Sequence, residues 1–263
     1  MNPAEQPLQK NDSDMPVWEH IGELRRRLLK CIAAVGLAFG ALAFAGPDRI
    51  LNLVSAPVKT EGVQFIYLGL ADAVYVQLKA VFLCAVVLAS PVLLWQMWAF
   101  IKPALYPEER KPLLGIALLS LCLFAIGVVF GYGIVFLFAI HFFIYAGAGT
   151  ALPLLAVDRY LNFLIGFVIP FGLLFEMPLI AAALARSGIL HAETLRQGRR
   201  FAILLSFIVS ALLTPPDVMS QIMMAIPSIL LFECSIRCAA WAERNREQKK
   251  RRDSMIIRAS ITG

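Results

Sequence analysis

From residue 112 to residue 157 the chain contains no Asp, Glu, Lys or Arg. So long a stretch without charge does not suit a solvated surface, and it is about twice the roughly 20 apolar residues that one helical crossing of a bilayer requires. Shorter apolar runs precede and follow it, each bounded by clusters of charge. Mean hydropathy is +0.74, with 59% hydrophobic and 16% charged residues. A single bundle of spanning helices fits this pattern, and one or two soluble domains do not.

The charges give that bundle a direction. In a soluble protein a net charge of +6 would suggest a nucleic-acid partner. Here 20 of the 24 Lys and Arg lie in residues 1–30, 100–112, 185–200 and 237–263, and the segments between them are nearly free of basic side chains. Alternation of basic and non-basic loops implies an even number of crossings with both termini in the cytoplasm.

Cys31, Cys84, Cys122, Cys234 and Cys238 all sit in or beside apolar runs, so no disulfide framework is expected. Cys234 and Cys238 share a helical face, but no nearby His completes a zinc site, and neither a metal nor a cofactor is expected. Ala43-Phe44-Ala45 resembles a signal-peptidase site. The long region before it, rich in acidic groups, and the length of the Leu28–Gly46 stretch argue against cleavage.

Residues 1–15 are polar and aperiodic and read as a disordered tail. Trp18, Ile21, Leu24 and Leu28 recur at helical spacing, predicting an amphipathic helix along the cytoplasmic interface that turns into the first span. The predicted spans are about 28–46, 74–100, 113–144, 160–185, 201–214 and 218–236, within one domain of residues 16–240. Gly46-Pro47-Asp48 ends the first, and the segment to Asp72 is long enough for short helices of its own. Lys79 lies near the outer end of the second span, where it can snorkel to the interface. The uncharged stretch is read as one long tilted helix followed by a Gly-rich segment on the outer face, because the next basic loop must lie inside. The fifth span, of about 14 residues, covers only roughly 21 Å, so the last pair either thins the bilayer or forms a re-entrant hairpin. Residues 241–263 form a charged cytoplasmic tail expected to become disordered. The expected fold class is all-α and polytopic, six transmembrane helices in a concave bundle with the last two short.

No catalytic constellation is present: His20, His141 and His191 lie in different segments, and no nucleophile-elbow, zincin or P-loop pattern occurs. Four clusters stand out. His20-Ile21-Gly22-Glu23-Leu24-Arg25-Arg26-Arg27-Leu28 contains an i,i+4 pair, Glu23 and Arg27, that by itself is an ordinary helix feature. Phe100 to Arg110 places Glu108 and Glu109 on a basic cytoplasmic face. Both clusters belong at the same depth on the same side, so Glu23 and Glu109 can form one anionic site suited to a guanidinium, which a carboxylate meets with two parallel hydrogen bonds. Glu176, in Phe175-Glu176-Met177-Pro178, is an acid within a span, where function is the default reading. The alternative is a protonated Glu bonded to a carbonyl freed by Pro178. Leu213 to Gln221 forms a rigid Pro-Pro turn with Asp217 as candidate N-cap.

Taken in order, HIGELRRRL at 20–28, SAP at 55–57, SPVLLWQMWAFIKPALYPEER at 90–110, FEMP at 175–178, LLTPPDVMSQ at 212–221 and AIP at 225–227 resemble the TatC family, the multispanning receptor subunit of the twin-arginine protein translocase. The resemblance covers roughly residues 17–240. It implies binding of twin-arginine signal peptides of folded cargo on the cytoplasmic face of the bacterial inner membrane, recruitment of TatA- and TatB-type single-span partners in a multi-copy complex, and energy from the proton-motive force. By the same resemblance Glu23 and Glu109 engage the twin arginines, with Arg25, Leu28 and Phe100 shaping the site. Glu176, Asp217 and Gln221 match intramembrane positions tied to partner contact or translocation. The competing function is a proton-coupled transporter of a small solute centred on Glu176; such transporters usually show two related halves, and no internal repeat is found here.

Overall fold

The computed structural model describes residues 17–59, 64–101, 113–146, 154–214 and 216–262. The expected disordered tail at 1–15 and the acidic loop with Glu109 lie outside these residues, as does the Gly-rich segment at 147–153.

Helix α1 spans Val17–Ala45 without interruption. The expected turn between an interfacial helix and the first span is absent, because Val17 to Leu28 contains only one Gly and no Pro, and the periodic apolar face runs on into the span. Gly46, at φ 111, ends α1 in a conformation that a side chain would oppose. Pro47 then opens α2, Pro47–Lys59. Ile50, Val54 and Val58, one helical face of α2, are buried. Asp72 begins α3, Asp72–Ile101, and its carboxylate accepts the backbone N–H groups of Leu68 (3.0 Å) and Gly69 (2.7 Å). Helix α3 packs against α1 and α2 and against two later helices, Leu113–Phe130 and Val157–Leu174.

The uncharged stretch forms one rod: α4, Leu113–Phe130, a π-helical turn over Gly131–Phe136, and α5, Leu137–Ala146. It is continuous from end to end, the single long helix expected, and is long and apolar enough to cross a membrane. A strand, β2 (Leu154–Ala156), then pairs in parallel with β1 (Gln64–Ile66). These three-residue strands join the segment after α2 to the segment after α5 and had no counterpart in the expected fold.

Helix α6, Val157–Leu174, and α7, Met177–Ser187, form the next pass, broken at Phe175-Glu176. Gly188, at φ 77, closes α7 in the left-handed region with its N–H donating to Ala185 O. Short α8, Ala192–Gln197, leads into α9, Arg199–Leu213, whose 15 residues span roughly 22 Å. Helix α10 then runs from Val218 to Thr262. The charged tail beyond residue 240, expected to be disordered, continues the same helix. From Arg237 onward it has no Gly or Pro before the final Gly263 and is rich in Ala, Arg, Glu, Gln and Lys, the strongest helix formers.

Among the described residues five helical segments, Ile21–Ala45, Asp72–Ile101, Leu114–Ala146, Val157–Ser187 and Val218–Lys249, are long and apolar enough to cross a membrane; α9 is the short sixth. Lys79 does not simply snorkel: its ammonium pairs with Asp158 and donates to Asn162 Oδ1 at 2.9 Å, tying α3 to α6. An acid was available on the neighbouring helix, and pairing neutralises both charges at the interface.

The core is aromatic. Tyr160, Phe136, Phe167 and Phe171 are almost completely buried. Edge-to-face contacts join Phe136 to Tyr160 and Phe163 to Phe167. Tyr160 Oη donates to Val54 O at 2.8 Å and Tyr132 Oη reaches the same carbonyl at 3.2 Å, fastening α2 to the bundle.

Candidate functional site

Near the start of α1, Arg27 Nε donates to Glu23 Oε1 at 3.0 Å, and its Nη2 pairs with the same oxygen. Arg27 Nη1 reaches Gln96 Oε1, near the end of α3, at 3.3 Å. The guanidinium thus spans two helices and fixes Glu23 at the end of the bundle where α3 delivers Phe100. Both side chains keep partial solvent access, 27% for Glu23 and 21% for Arg27. Among the described residues, nothing hydrogen-bonds Glu23 Oε2. Arg25 and Leu28 lie exposed on α1, and Phe100 is half-buried. Four of the five residues expected in the surface site therefore belong to adjoining ends of two packed helices; Glu109 falls outside the described residues.

Glu176 occupies a different site. It is 1% exposed, and Ser120 Oγ, itself fully buried, donates to its Oε2 at 2.6 Å. The contact depends on very close approach of α4 to α6. A Cβ on Gly127 would stand 2.5 Å from Phe171 O, and one on Gly172 would stand 2.7 Å from the Phe124 ring. Residues 120, 124 and 127 thus face 176, 172 and 171 in antiparallel register, as small-residue packing permits in membranes. Among the described residues Glu176 Oε1 has no partner, and Trp98 Nε1 on α3 is likewise buried without one. The alternative of a Glu bonded to a carbonyl freed by Pro178 is not what forms: the hydroxyl of another helix supplies the bond.

Asp217 caps α10. Its Oδ1 accepts Ser220 N–H at 2.7 Å, and the other carboxylate oxygen accepts the Ser220 hydroxyl. One turn on, Gln221 Nε2 donates to Phe207 O at 3.1 Å, tying α10 to α9. Glu23, Glu176 and Asp217 are therefore held in three separate polar arrangements. Ser120 and Gln96 were missed from the sequence. The signal available for Ser120 was its position seven residues before Gly127, one side of a helix that also carries Phe124.

Long apolar helices, one buried acid at a helix break and polar clusters confined to the helix ends define an integral membrane protein of several passes. The chain belongs to the TatC family: residues 19–227 match the model of the Sec-independent protein translocase protein TatC, a family of translocase components and not of enzymes. It is 38% identical over 232 residues to TatC of Desulforapulum autotrophicum, covering 87% of this chain and 86% of that protein. With TatC of Escherichia coli it shares 37% identity over 243 residues, covering 90% and 94%. A crystal structure of the twin-arginine translocase receptor TatC superposes with a TM-score of 0.78 at 34% identity, covering 85% of this chain and 99% of that one.

Proposed function

We propose that this chain is the signal-peptide receptor of a twin-arginine translocase, set in the bacterial cytoplasmic membrane with both termini inside. The observation that carries the reading is the Glu23–Arg27–Gln96 arrangement. Glu23 already accepts a guanidinium through Oε1, from its own helix, while Oε2 points to no donor among the described residues. Arg27 acts as an internal stand-in for a signal arginine: an incoming guanidinium takes the second oxygen or displaces Arg27, and Glu109 receives its neighbour. Arg25, Leu28 and Phe100 border the place where the rest of the signal would lie.

Partner recruitment has a matching surface. Phe201, Leu204, Leu205, Ile208 and Leu212 form an exposed apolar stripe along α9, beside the Gln221 link to α10. It suits a single-span TatA- or TatB-type helix, with Asp217 and Gln221 holding the α9–α10 corner in register. Glu176 is assigned to a step after signal binding, driven by the proton-motive force.

The test is crosslinking of purified protein to a twin-arginine signal peptide from a probe beside Glu23 or Glu109, with a twin-lysine peptide as control. Selective crosslinking of the twin-arginine peptide is expected. Equal crosslinking of both, by a folded protein, would overturn the receptor assignment and favour a solute transporter built on Glu176.

A further inference from the structure

Where α8 and the start of α9 meet the charged part of α10, a cavity of about 370 Å³ is walled by Arg196, Arg199, Glu233, Arg237, Trp241 and Arg244. Four guanidinium groups and one carboxylate in so small a space leave a marked positive excess. Arg199 Nη2 is neutralised by Glu233 at 2.8 Å, and Arg196 pairs more loosely with Glu193 at 3.5 Å. Among the described residues neither Arg237 nor Arg244 has an ion-pair partner. Glu243 accepts Ala192 N–H at 3.2 Å and so holds α8, with Arg196, against α10.

Position along the helix says what meets this cavity. Glu233, Arg237, Trp241 and Arg244 follow one another at i, i+4, i+8 and i+11, a single face of α10. At 1.5 Å per residue from Val218, Arg237 lies about 29 Å along the helix, Trp241 about 35 Å and Arg244 about 39 Å. A hydrocarbon core is about 30 Å thick, so the cavity straddles its edge, in the headgroup layer. Trp241 is 67% exposed there, as an interfacial indole should be. Buried Ile236 and partly buried Ala240 supply an apolar wall, for which a free inorganic ion would have no use.

We propose that this cavity binds the phosphodiester headgroup of an anionic phospholipid, with Arg237 and Arg244 clamping phosphate oxygens and Trp241 lying along the glycerol region. Guanidinium groups match pairs of phosphate oxygens, and basic pockets between membrane helices are known to take such headgroups. The site rests on α10 crossing the bilayer, and is independent of how signal peptides bind.

The test is native mass spectrometry of the purified full chain loaded with phosphatidylglycerol or phosphatidylcholine. Wild type and the Arg251→Gln/Arg252→Gln control, which loses the same charge farther along α10, should retain the anionic lipid about tenfold over the zwitterionic one. Arg237→Gln/Arg244→Gln should lose that preference to within about twofold. Unchanged retention by the cavity variant, or equal loss in both variants, would overturn the proposal. Displacement of the lipid by inorganic phosphate would also overturn it, by making a soluble anion the ligand. A second measurement uses no arginine variant: the difference in fluorescence between wild type and Trp241→Phe should be quenched more by brominated phosphatidylglycerol than by brominated phosphatidylcholine. Equal quenching would sink the assignment even if the arginine variants failed to fold.

Discussion

Ser120 and Glu176, 56 residues apart in sequence, meet inside the bundle with almost no solvent access to either, the hydroxyl donating to the carboxyl at 2.6 Å. The bond explains how an acid is accommodated where α6 gives way to α7. Removing one partner of a buried polar pair costs more than the pair itself contributes, because the remaining group keeps its desolvation penalty. Ser120→Ala should therefore destabilise the protein by about 1–3 kcal/mol. Thermal unfolding in detergent would measure it, and adding Glu176→Leu should recover part of the loss. Purely additive losses would show that the two side chains are not coupled.

Glu176→Gln separates charge from shape. The amide oxygen still accepts from Ser120, so folding and signal-peptide binding should stay near wild type while transport into vesicles falls. Full transport by this variant would remove Glu176 from the translocation step.

The α4–α6 contact should be intolerant of a single methyl group. Gly127→Ala would place its Cβ 2.5 Å from the Phe171 carbonyl oxygen, backbone that has no rotamer with which to yield. A destabilisation of about 1–3 kcal/mol is expected from such overpacking. Gly133→Ala, on the same rod with nothing within 4 Å, is the control and should unfold like wild type. If both behave alike in a thermal shift assay, close packing is not what holds these helices together.

At the other site, Glu23→Ala should lower binding of a twin-arginine peptide while leaving the already weak binding of a twin-lysine peptide nearly unchanged. Arg27→Gln tests the stand-in directly. Releasing Glu23 from a partly exposed i,i+4 ion pair, worth up to about 1 kcal/mol, should strengthen peptide binding by up to about fivefold. Titration calorimetry or fluorescence anisotropy would read the change. Weaker binding by this variant would make Arg27 part of the receptor surface instead.

Hydropathy made the long apolar helices legible because it is a local property: each apolar run carries its own evidence. The same locality hid other features. Lys79 has no mark in its surroundings that points to Asp158, which lies 79 residues away. Ser120 looks like any small residue in a span until Gly127 and Gly172 bring two helices together. The three-residue pairing of Gln64–Ile66 with Leu154–Ala156 is too short for any period to register. The helical continuation past Arg237 was written in its composition but was outweighed by its charge. At the surface site Glu23 and Arg27 were visible as an i,i+4 pair, whereas Gln96, which joins them to α3, needed the packed helices.

Proline inside α10 gives the unbroken helix a mechanical character. Pro227 lacks the N–H that would bond one turn back, so it is the natural point of bending. It stands about 14 Å from Val218 and about 52 Å from Thr262, counted along the axis. Pivoting there, α10 is a lever with arms in a ratio of nearly four to one. A slight shift of the corner held by Asp217 becomes a swing several times larger at the charged end, and a force applied to that end returns to the corner multiplied by the same factor.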